Sequence, residues 1–200
     1  WSRQQPQKSL SILAKNRYGT NVINYRLFKD KELDNFKTFI LRNSGNDWVY
    51  TMLRDAALQS LVKDQMDIDF QAYRPTIVFL NGAYWGIHNL REKINEHYLA
   101  SNHGADPDNV DLLEGNRNIR QGDTEHYDDM LDFIESNDLT LPENYTFIKT
   151  QMDASEFINY QLAQIYDKVS PLIHWVLKHQ YITRYPLYQF HPHFQNHYYL

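Results

Sequence analysis

The chain has no cysteine, only seven glycines and no long apolar run among its 200 residues. Without cysteine there is no disulfide framework, thiolate metal site or cysteine nucleophile. A membrane helix needs about 18 consecutive apolar residues, and a secretory signal needs a basic segment followed by an apolar one; neither pattern is found. The sequence therefore fits either a reducing cytosol or a bacterial export route that avoids cysteine.

The glycines also do not form the motifs of three large enzyme classes. The sequence has no Gly-x-x-x-x-Gly-Lys phosphate loop, no Gly-x-Gly-x-x-Gly dinucleotide turn and no Gly-x-Ser-x-Gly nucleophile elbow. P-loop nucleotide hydrolases, Rossmann-type dehydrogenases and α/β-hydrolases are therefore without support.

Acidic residues are missing from both ends of the chain. Residues 1–29 hold six basic residues and no Asp or Glu, and residues 168–200 hold no Asp or Glu either. All 25 acidic side chains lie between Asp30 and Asp167, and the net charge of −5 argues against a general nucleic-acid binder. The basic N-terminal stretch fits a site for a phosphate-bearing ligand or a solvated pair of strands, and charge alone favours the strands.

The remaining composition is typical of a folded globular protein, with 42% hydrophobic, 14% aromatic and 22% charged residues. It fits one sizeable domain, or one large domain cut short. Leu10 and Ile12 alternate with serines, which predicts a strand with one buried face, and residues 36–41 predict a second strand.

A change of period then predicts a helix over residues 49–66, with Asn46 or Asp47 as its N-cap. Its predicted buried stripe consists of Val49, Met52, Leu53, Ala56, Ala57 and Leu61.

Asn81-Gly82 lies between two strand-like runs and predicts a hairpin with a type I′ turn, in which both central residues have positive φ. Beyond it, apolar spacing predicts helices at residues 94–101, around 127–134, at 142–152 and after Asp153. The predicted buried stripe of the last helix is Ile158, Leu162, Ile165 and Tyr166. Strands followed by helices predict an α+β protein with a small antiparallel sheet lobe and a helical lobe.

Residues 168–200 are rich in aromatic residues and histidine, and we predict a poorly ordered tail because no structural period is sustained there. His191, His193 and His197 have no carboxylate or thiol near them in sequence, so we predict no metal site.

Six polar side chains remain as candidate site residues: Lys8, Arg42, Asp47, Arg54, Asp55 and Glu92. Each has a structural alternative, in which for example Asp47 caps the helix, Arg54 pairs with an acid and Glu92 bonds backbone at the strand end. Taken singly, the structural alternative is favoured at each position. Taken together with the order of strand, helix, Asn-Gly hairpin and helices, they favour a shared site.

Several segments carry a family resemblance over residues 1–167. They are Ser2-Arg3, Pro6-Gln-Lys-Ser-Leu10, Leu41-Arg-Asn-Ser-Gly-Asn-Asp-Trp48, Leu53-Arg-Asp-Ala56, Pro75, Leu80-Asn-Gly-Ala-Tyr-Trp-Gly-Ile87, Asn89-Leu-Arg-Glu-Lys-Ile94, the stretch from Gly122-Asp123 to Met152-Asp153, and the helix through Tyr166. This arrangement resembles the CotH kinase family, the atypical protein kinases related to spore-coat protein H.

The resemblance implies an incomplete protein-kinase-like fold with two lobes. Residues 1–92 would form the sheet-and-helix region of the small lobe, 93–167 the helical region of the large lobe, and 168–200 the tail. The resemblance further implies ATP and Mg²⁺ or Mn²⁺ as cofactors, and phosphoryl transfer to serines of coat or secreted proteins. It implies an extracellular, cell-surface or spore-coat location and a protein substrate or surface partner, without nucleic acid or a membrane span.

By the same resemblance, Lys8 or Arg42 faces the nucleotide phosphates; topology favours Arg42, and both remain candidates. Asp55 or Arg54 turns from the helix toward that cation. Arg91-Glu92-Lys93 lies at the lobe junction beside the nucleotide, and Asp47 and Glu92 belong to the same nucleotide-binding set.

The sequence departs from the family pattern after Asp167. The catalytic Asp and Asn and the metal-binding Asp of the family should follow there, yet residues 168–200 contain no Asp or Glu. Magnesium ions need oxygen ligands, so we predict an inactive chain, truncated or divergent after Asp167. The alternative is a non-catalytic spore-coat or cell-surface binding protein that uses the same fold.

Overall fold

The computed structural model describes residues 4–115, 117–168 and 181–184. These ranges form nine β-strands and five α-helices. The strands are β1 (Leu10–Leu13), β2 (Ile23–Asn24), β3 (Asn35–Phe36), β4 (Thr38–Arg42), β5 (Tyr73–Leu80), β6 (Ala83–Glu92), β7 (Asp111–Glu114), β8 (Asn118–Gln121) and β9 (Tyr181–Arg184). The helices are α1 (Arg54–Val62), α2 (Glu96–His103), α3 (Glu125–Ser136), α4 (Pro142–Gln151) and α5 (Ala154–Lys168). The predicted α+β class is confirmed. None of the described helices is both long and apolar enough to cross a membrane.

The chain divides into two compact units. Unit 1 comprises residues 1–65 and 69–101, and unit 2 comprises residues 66–68 and 102–200.

Unit 1 is built on a small antiparallel sheet with the strand order β1-β4-β6-β5. The β5–β6 hairpin turns at Asn81 and Gly82, whose φ angles are 50° and 81°. Both are positive, as a type I′ turn requires, so the predicted hairpin is confirmed.

The two faces of this sheet differ in character. Side chains alternate along β6, so Arg91 lies on one face while Leu90 and Glu92 lie on the other. Arg42 pairs in register with Asn89 and therefore shares the face of Arg91. The other face packs against the main apolar cluster of unit 1, which consists of Leu27, Phe28, Phe36, Ala72 and Leu90.

The helix predicted over residues 49–66 is shorter than expected, since α1 begins at Arg54 and ends at Val62. Met52 has a positive φ of 59°, which breaks the helical path before Arg54. The buried residues of α1 are Ala56, Leu58 and Val62, so the predicted burial of Ala56 is confirmed, and Asp55 next to it is partly buried. The predicted buried stripe is wrong at four of its positions, because Val49, Leu53, Ala57 and Leu61 are exposed.

Unit 2 contains strands that the sequence did not predict. β7 pairs antiparallel with β8 and with β9, and the buried side chains of Leu112 and Leu113 lie on β7. The two leucines of Asp111-Leu-Leu-Glu114 are adjacent, so β7 shows no alternation of apolar and polar residues, whereas β1 does.

For the helices of unit 2, the sequence predicted their positions better than it predicted which of their residues are buried. Asp153 accepts hydrogen bonds from the backbone N–H groups of Ser155 and Glu156, as expected at the start of α5. The predicted buried stripe of α5 is wrong at Ile158, Leu162 and Ile165, which are exposed, and its fourth residue, Tyr166, lies outside the side chains that the structure describes.

Candidate functional site

One carboxylate in unit 1 binds two arginines. Asp55 lies in the first turn of α1, Arg42 is the last residue of β4, and Arg91 lies near the end of β6. The Oδ2 atom of Asp55 accepts hydrogen bonds from Arg42 Nη1 at 2.7 Å and from Arg91 Nη1 at 2.6 Å. Its Oδ1 atom accepts a hydrogen bond from Gln59 Nε2 at 3.0 Å. We call Arg42, Asp55 and Arg91 the arginine cluster.

The arginine cluster has an excess of positive charge. Two guanidinium groups face one carboxylate, so the three side chains carry a net charge of +1. The side chain of Arg91 is 1% exposed, whereas that of Arg42 is 32% exposed. Among the described residues, the buried Nε and Nη2 atoms of Arg91 have no hydrogen-bond partner. Burial lowers the pKa of Arg91, the nearby Arg42 lowers it further, and Asp55 opposes both.

Asp47 organises the segment that leads into α1. It accepts hydrogen bonds from the backbone N–H and the hydroxyl of Thr51 and from the backbone N–H of Arg54. Its Oδ1 atom also lies 3.2 Å from Arg54 Nη2. Burial by itself raises the pKa of Asp47, but the bonds from Thr51 and Arg54 outweigh it and leave the pKa below its ordinary value. Asp47 therefore bonds the first backbone N–H of α1 although it lies seven residues earlier in the chain.

Glu92 belongs to a different ion pair, on the core face of the sheet. Its Oε2 atom lies 2.7 Å from Lys31 Nζ and also accepts a hydrogen bond from the backbone N–H of Ala72 at 3.0 Å. The side chains of Glu92 and Lys31 are only 4% and 14% exposed. The ammonium of Lys31 also lies over the rings of Phe70 and Tyr98.

Lys8 is exposed, and its backbone carbonyl accepts a hydrogen bond from His88 Nε2. The neighbouring side chain of Gln7 is buried and donates to Ile87 O and to His88 Nδ1, while its Oε1 accepts from Trp48 Nε1. This network ties the segment before β1 to β6 and to the turn before α1. It leaves no room at Gly86, where an added Cβ would lie 2.7 Å from Gln7 Nε2.

The structure thus divides the six predicted site residues into groups. Arg42 and Asp55 are in contact, and Asp47 and Arg54 form a second pair. Glu92 pairs with Lys31, and the backbone carbonyl of Lys8 bonds His88.

The six candidate residues did not include Arg91 or Lys31, although the family resemblance places the segment Arg91-Glu92-Lys93 beside the nucleotide. Arg91 had a usable signal, because it ends a stretch, residues 75–90, that contains no Asp, Glu, Lys or Arg. The end of β6, residues 88–92, is buried, and a buried charge needs a partner. Lys31 had no such signal, since it lies outside the regular strands and helices.

A comparison with protein families identifies the chain. The family described as CotH kinase protein matches residues 1–168. The chain belongs to the CotH kinase family. No curated protein and no solved structure gives a significant match. As a CotH kinase protein the chain is kinase-like, and the predicted family resemblance is confirmed.

The arginine cluster of this CotH protein fits a phosphate group better than a metal ion. The outer N–H groups of Arg42 have no hydrogen-bond partner among the described residues, and guanidinium groups bind phosphate oxygens in pairs. The carboxylate of Asp55 already accepts bonds at both oxygens. No group of three or more His, Asp or Glu side chains suited to a metal occurs in the described part of the chain.

Proposed function

We propose that this CotH protein carries the phosphate-binding part of an ATP-dependent kinase whose substrates are serines of spore-coat or secreted proteins. The observation that supports the proposal is the pairing of Arg42, at the end of a sheet strand, with Asp55, on the helix that follows. Protein kinases use the same pattern, a strand cation paired with a helix carboxylate, to hold the nucleotide phosphates.

Within this proposal, Arg42 is the residue that binds the phosphates. Its Nη1 atom is bonded to Asp55, which leaves Nε and Nη2 for phosphate oxygens. Asp55 restrains the guanidinium of Arg42, and Asp47 fixes the first turn of α1, on which Asp55 lies. Lys8, the other candidate cation, is exposed on the segment before β1, and its backbone carbonyl accepts a hydrogen bond from His88.

The proposal also states that the chain does not transfer phosphate on its own. When bound, ATP with Mg²⁺ or Mn²⁺ supplies the phosphoryl group and the metal that neutralises its charge. Residues 168–200 contain no Asp or Glu to hold that metal or to accept the proton of a serine hydroxyl. We therefore expect ATP binding without turnover.

The experiment measures ATP binding by isothermal titration with the full chain, with and without Mn²⁺. We expect Arg42→Met to weaken binding by at least about tenfold, because it removes a charge-assisted hydrogen bond to phosphate. Lys31→Met, which removes the cation of the Lys31–Glu92 ion pair in the same unit, serves as the matched control and should leave the affinity unchanged. Equal affinities of the wild type and Arg42→Met would contradict the proposal.

A transfer assay tests the second part. Labelled ATP, Mn²⁺ and a serine-rich protein are incubated with the chain, and we expect no incorporation above background.

The alternative function is that of a non-catalytic coat or cell-surface binding protein, and the missing acidic residues after Asp167 favour it. Retention of a specific protein partner, together with no thermal shift on addition of ATP and Mg²⁺, would support this alternative over the kinase.

A further inference from the structure

We propose that Arg91 is a positioning residue: it holds and neutralises Asp55, so that the charge and the outer N–H groups of Arg42 remain available to a phosphate-bearing ligand. The inference rests on the proposed function and extends it to a residue that does not touch the ligand. It starts from the shared Oδ2 atom of Asp55, which bonds both arginines at nearly equal distances, 2.7 and 2.6 Å.

The two arginines differ in how firmly they are held. Arg91 lies on β6, which is paired on both sides, with Ile40 of β4 and Tyr73 of β5 as its register partners. Its side chain is buried. Arg42 is the last residue of β4 and is one-third exposed. Arg91 therefore stays bonded to Asp55, while Arg42 is the member of the cluster that a ligand from solvent can reach.

The charge of the cluster depends on Arg91. With both arginines present, one positive charge remains after Asp55 is neutralised. Without Arg91, the charge of Arg42 would be fully matched by Asp55, and an anionic ligand would have to compete with that carboxylate. A buried carboxylate also cannot release a single cationic partner without a large desolvation cost, whereas here Arg91 remains bonded when Arg42 turns to the ligand.

The test is a double-mutant cycle on the full chain, with ATP and inorganic tripolyphosphate as probes. Arg91→Gln removes the charge but keeps a hydrogen-bond donor, and it should weaken the binding of both probes by at least about tenfold. Adding Asp55→Asn should then restore at least half of that loss on a logarithmic scale, because Arg42 is no longer neutralised. In the wild-type background, Asp55→Asn should lower affinity, because Arg42 loses the carboxylate that restrains its guanidinium. The sign of the Asp55→Asn effect therefore reverses.

A purely structural role for Arg91 does not produce this reversal, since a second substitution in a damaged site does not restore binding. Wild-type affinity in Arg91→Gln, or no recovery of affinity in the double variant, overturns the proposed role of Arg91. The proposed function still holds in that case if the wild type binds ATP. Failure of the wild type to bind either probe overturns both.

A second measurement uses the unmodified protein in case the Arg91 variants do not fold. The Nε–H resonances of the arginines are followed by NMR during titration with tripolyphosphate. We expect the Arg42 signal to shift and the Arg91 signal to stay protected from solvent exchange. A ligand-induced loss of protection at Arg91 with no shift at Arg42 contradicts the proposal.

Discussion

Arg91 and Glu92 are neighbours on β6, and their side chains take part in ion pairs on opposite faces of one sheet. On the core face, the carboxylate of Glu92 pairs with the ammonium of Lys31, and both side chains are largely buried. On the α1 face, Asp55 is shared by two arginines, one buried and one partly exposed.

The difference separates a pair suited to stability from a cluster suited to binding. A balanced buried pair gains nothing from a further ion, and loss of one partner leaves a charge in a poorly solvated place. An unbalanced cluster with an exposed cation tolerates loss of that cation, because the carboxylate keeps its other partner. What indicates a ligand site here is an excess of cations over carboxylates, together with exposure of the outermost cation. The number of ion pairs is less informative.

The largest expected effect comes from removing the cation of each site by the same substitution. Lys31→Met should lower the free energy of unfolding by about 3 kcal/mol, because it deprives the buried Glu92 carboxylate of its cation. Arg42→Met should lower it by less than about 1 kcal/mol, because Asp55 remains bonded to Arg91. Urea unfolding followed by tryptophan fluorescence measures both variants. If Arg42→Met lowered the free energy of unfolding more than Lys31→Met does, the comparison would be contradicted.

A smaller effect concerns the segment that supports the arginine cluster. At neutral pH, Asp47→Asn should cost about 1–2 kcal/mol, since Asp47 bonds the first N–H of α1 and pairs with Arg54. The pKa of Asp47 is lowered in the folded protein, so its stabilising effect is complete above the unfolded pKa of about 3.9 and is lost as the pH falls through the folded pKa.

The gap between wild type and Asp47→Asn should therefore be constant from neutral pH to about 5 and narrow below about 4. Glu32→Gln, at an exposed acidic position of the same unit, is the control, with an expected change below about 0.5 kcal/mol. A gap that stays constant down to the acid transition would show that the ionised carboxylate is not what stabilises the turn.

The sequence predicted the elements of unit 1 because their signals are local. Alternation identified β1, and Asn81-Gly82 identified the hairpin of β5 and β6 through a turn that few other dipeptides adopt. The family resemblance, carried by runs such as Leu80–Ile87, needed no structural detail. The same means did not find β7, because its two leucines are adjacent and do not alternate with polar residues. They did not predict the burial of α5, because burial depends on what packs against a helix.

Local sequence patterns could not predict the contacts of the arginine cluster, for a specific reason. Its three members come from β4, β6 and α1, so its assembly depends on the register of the two strands and on how the helix packs, which no local pattern encodes. As the sequence implied, Asp55 lies next to the buried position Ala56, but its bonds to the two arginines could be read only from the structure. The sequence selected Arg42 and Asp55 as candidates, but the choice between Asp55 and Arg54 as the partner of Arg42 required the coordinates.

The smallest expected effect is the response of the two sites to salt. Salt screens exposed charges more than buried ones, so the modest destabilisation by Arg42→Met should shrink by a few tenths of a kcal/mol, roughly 0.3, between 0.05 and 0.5 M NaCl. The larger destabilisation by Lys31→Met should stay nearly constant, because Lys31 and Glu92 are largely buried. Urea titrations of the wild type and both variants at the two salt concentrations provide the measurement. If salt reduced the effect of Lys31→Met as strongly as that of Arg42→Met, the two ion-pair sites would not differ in solvent access. The argument that Arg42 is the ligand-binding cation would then fail.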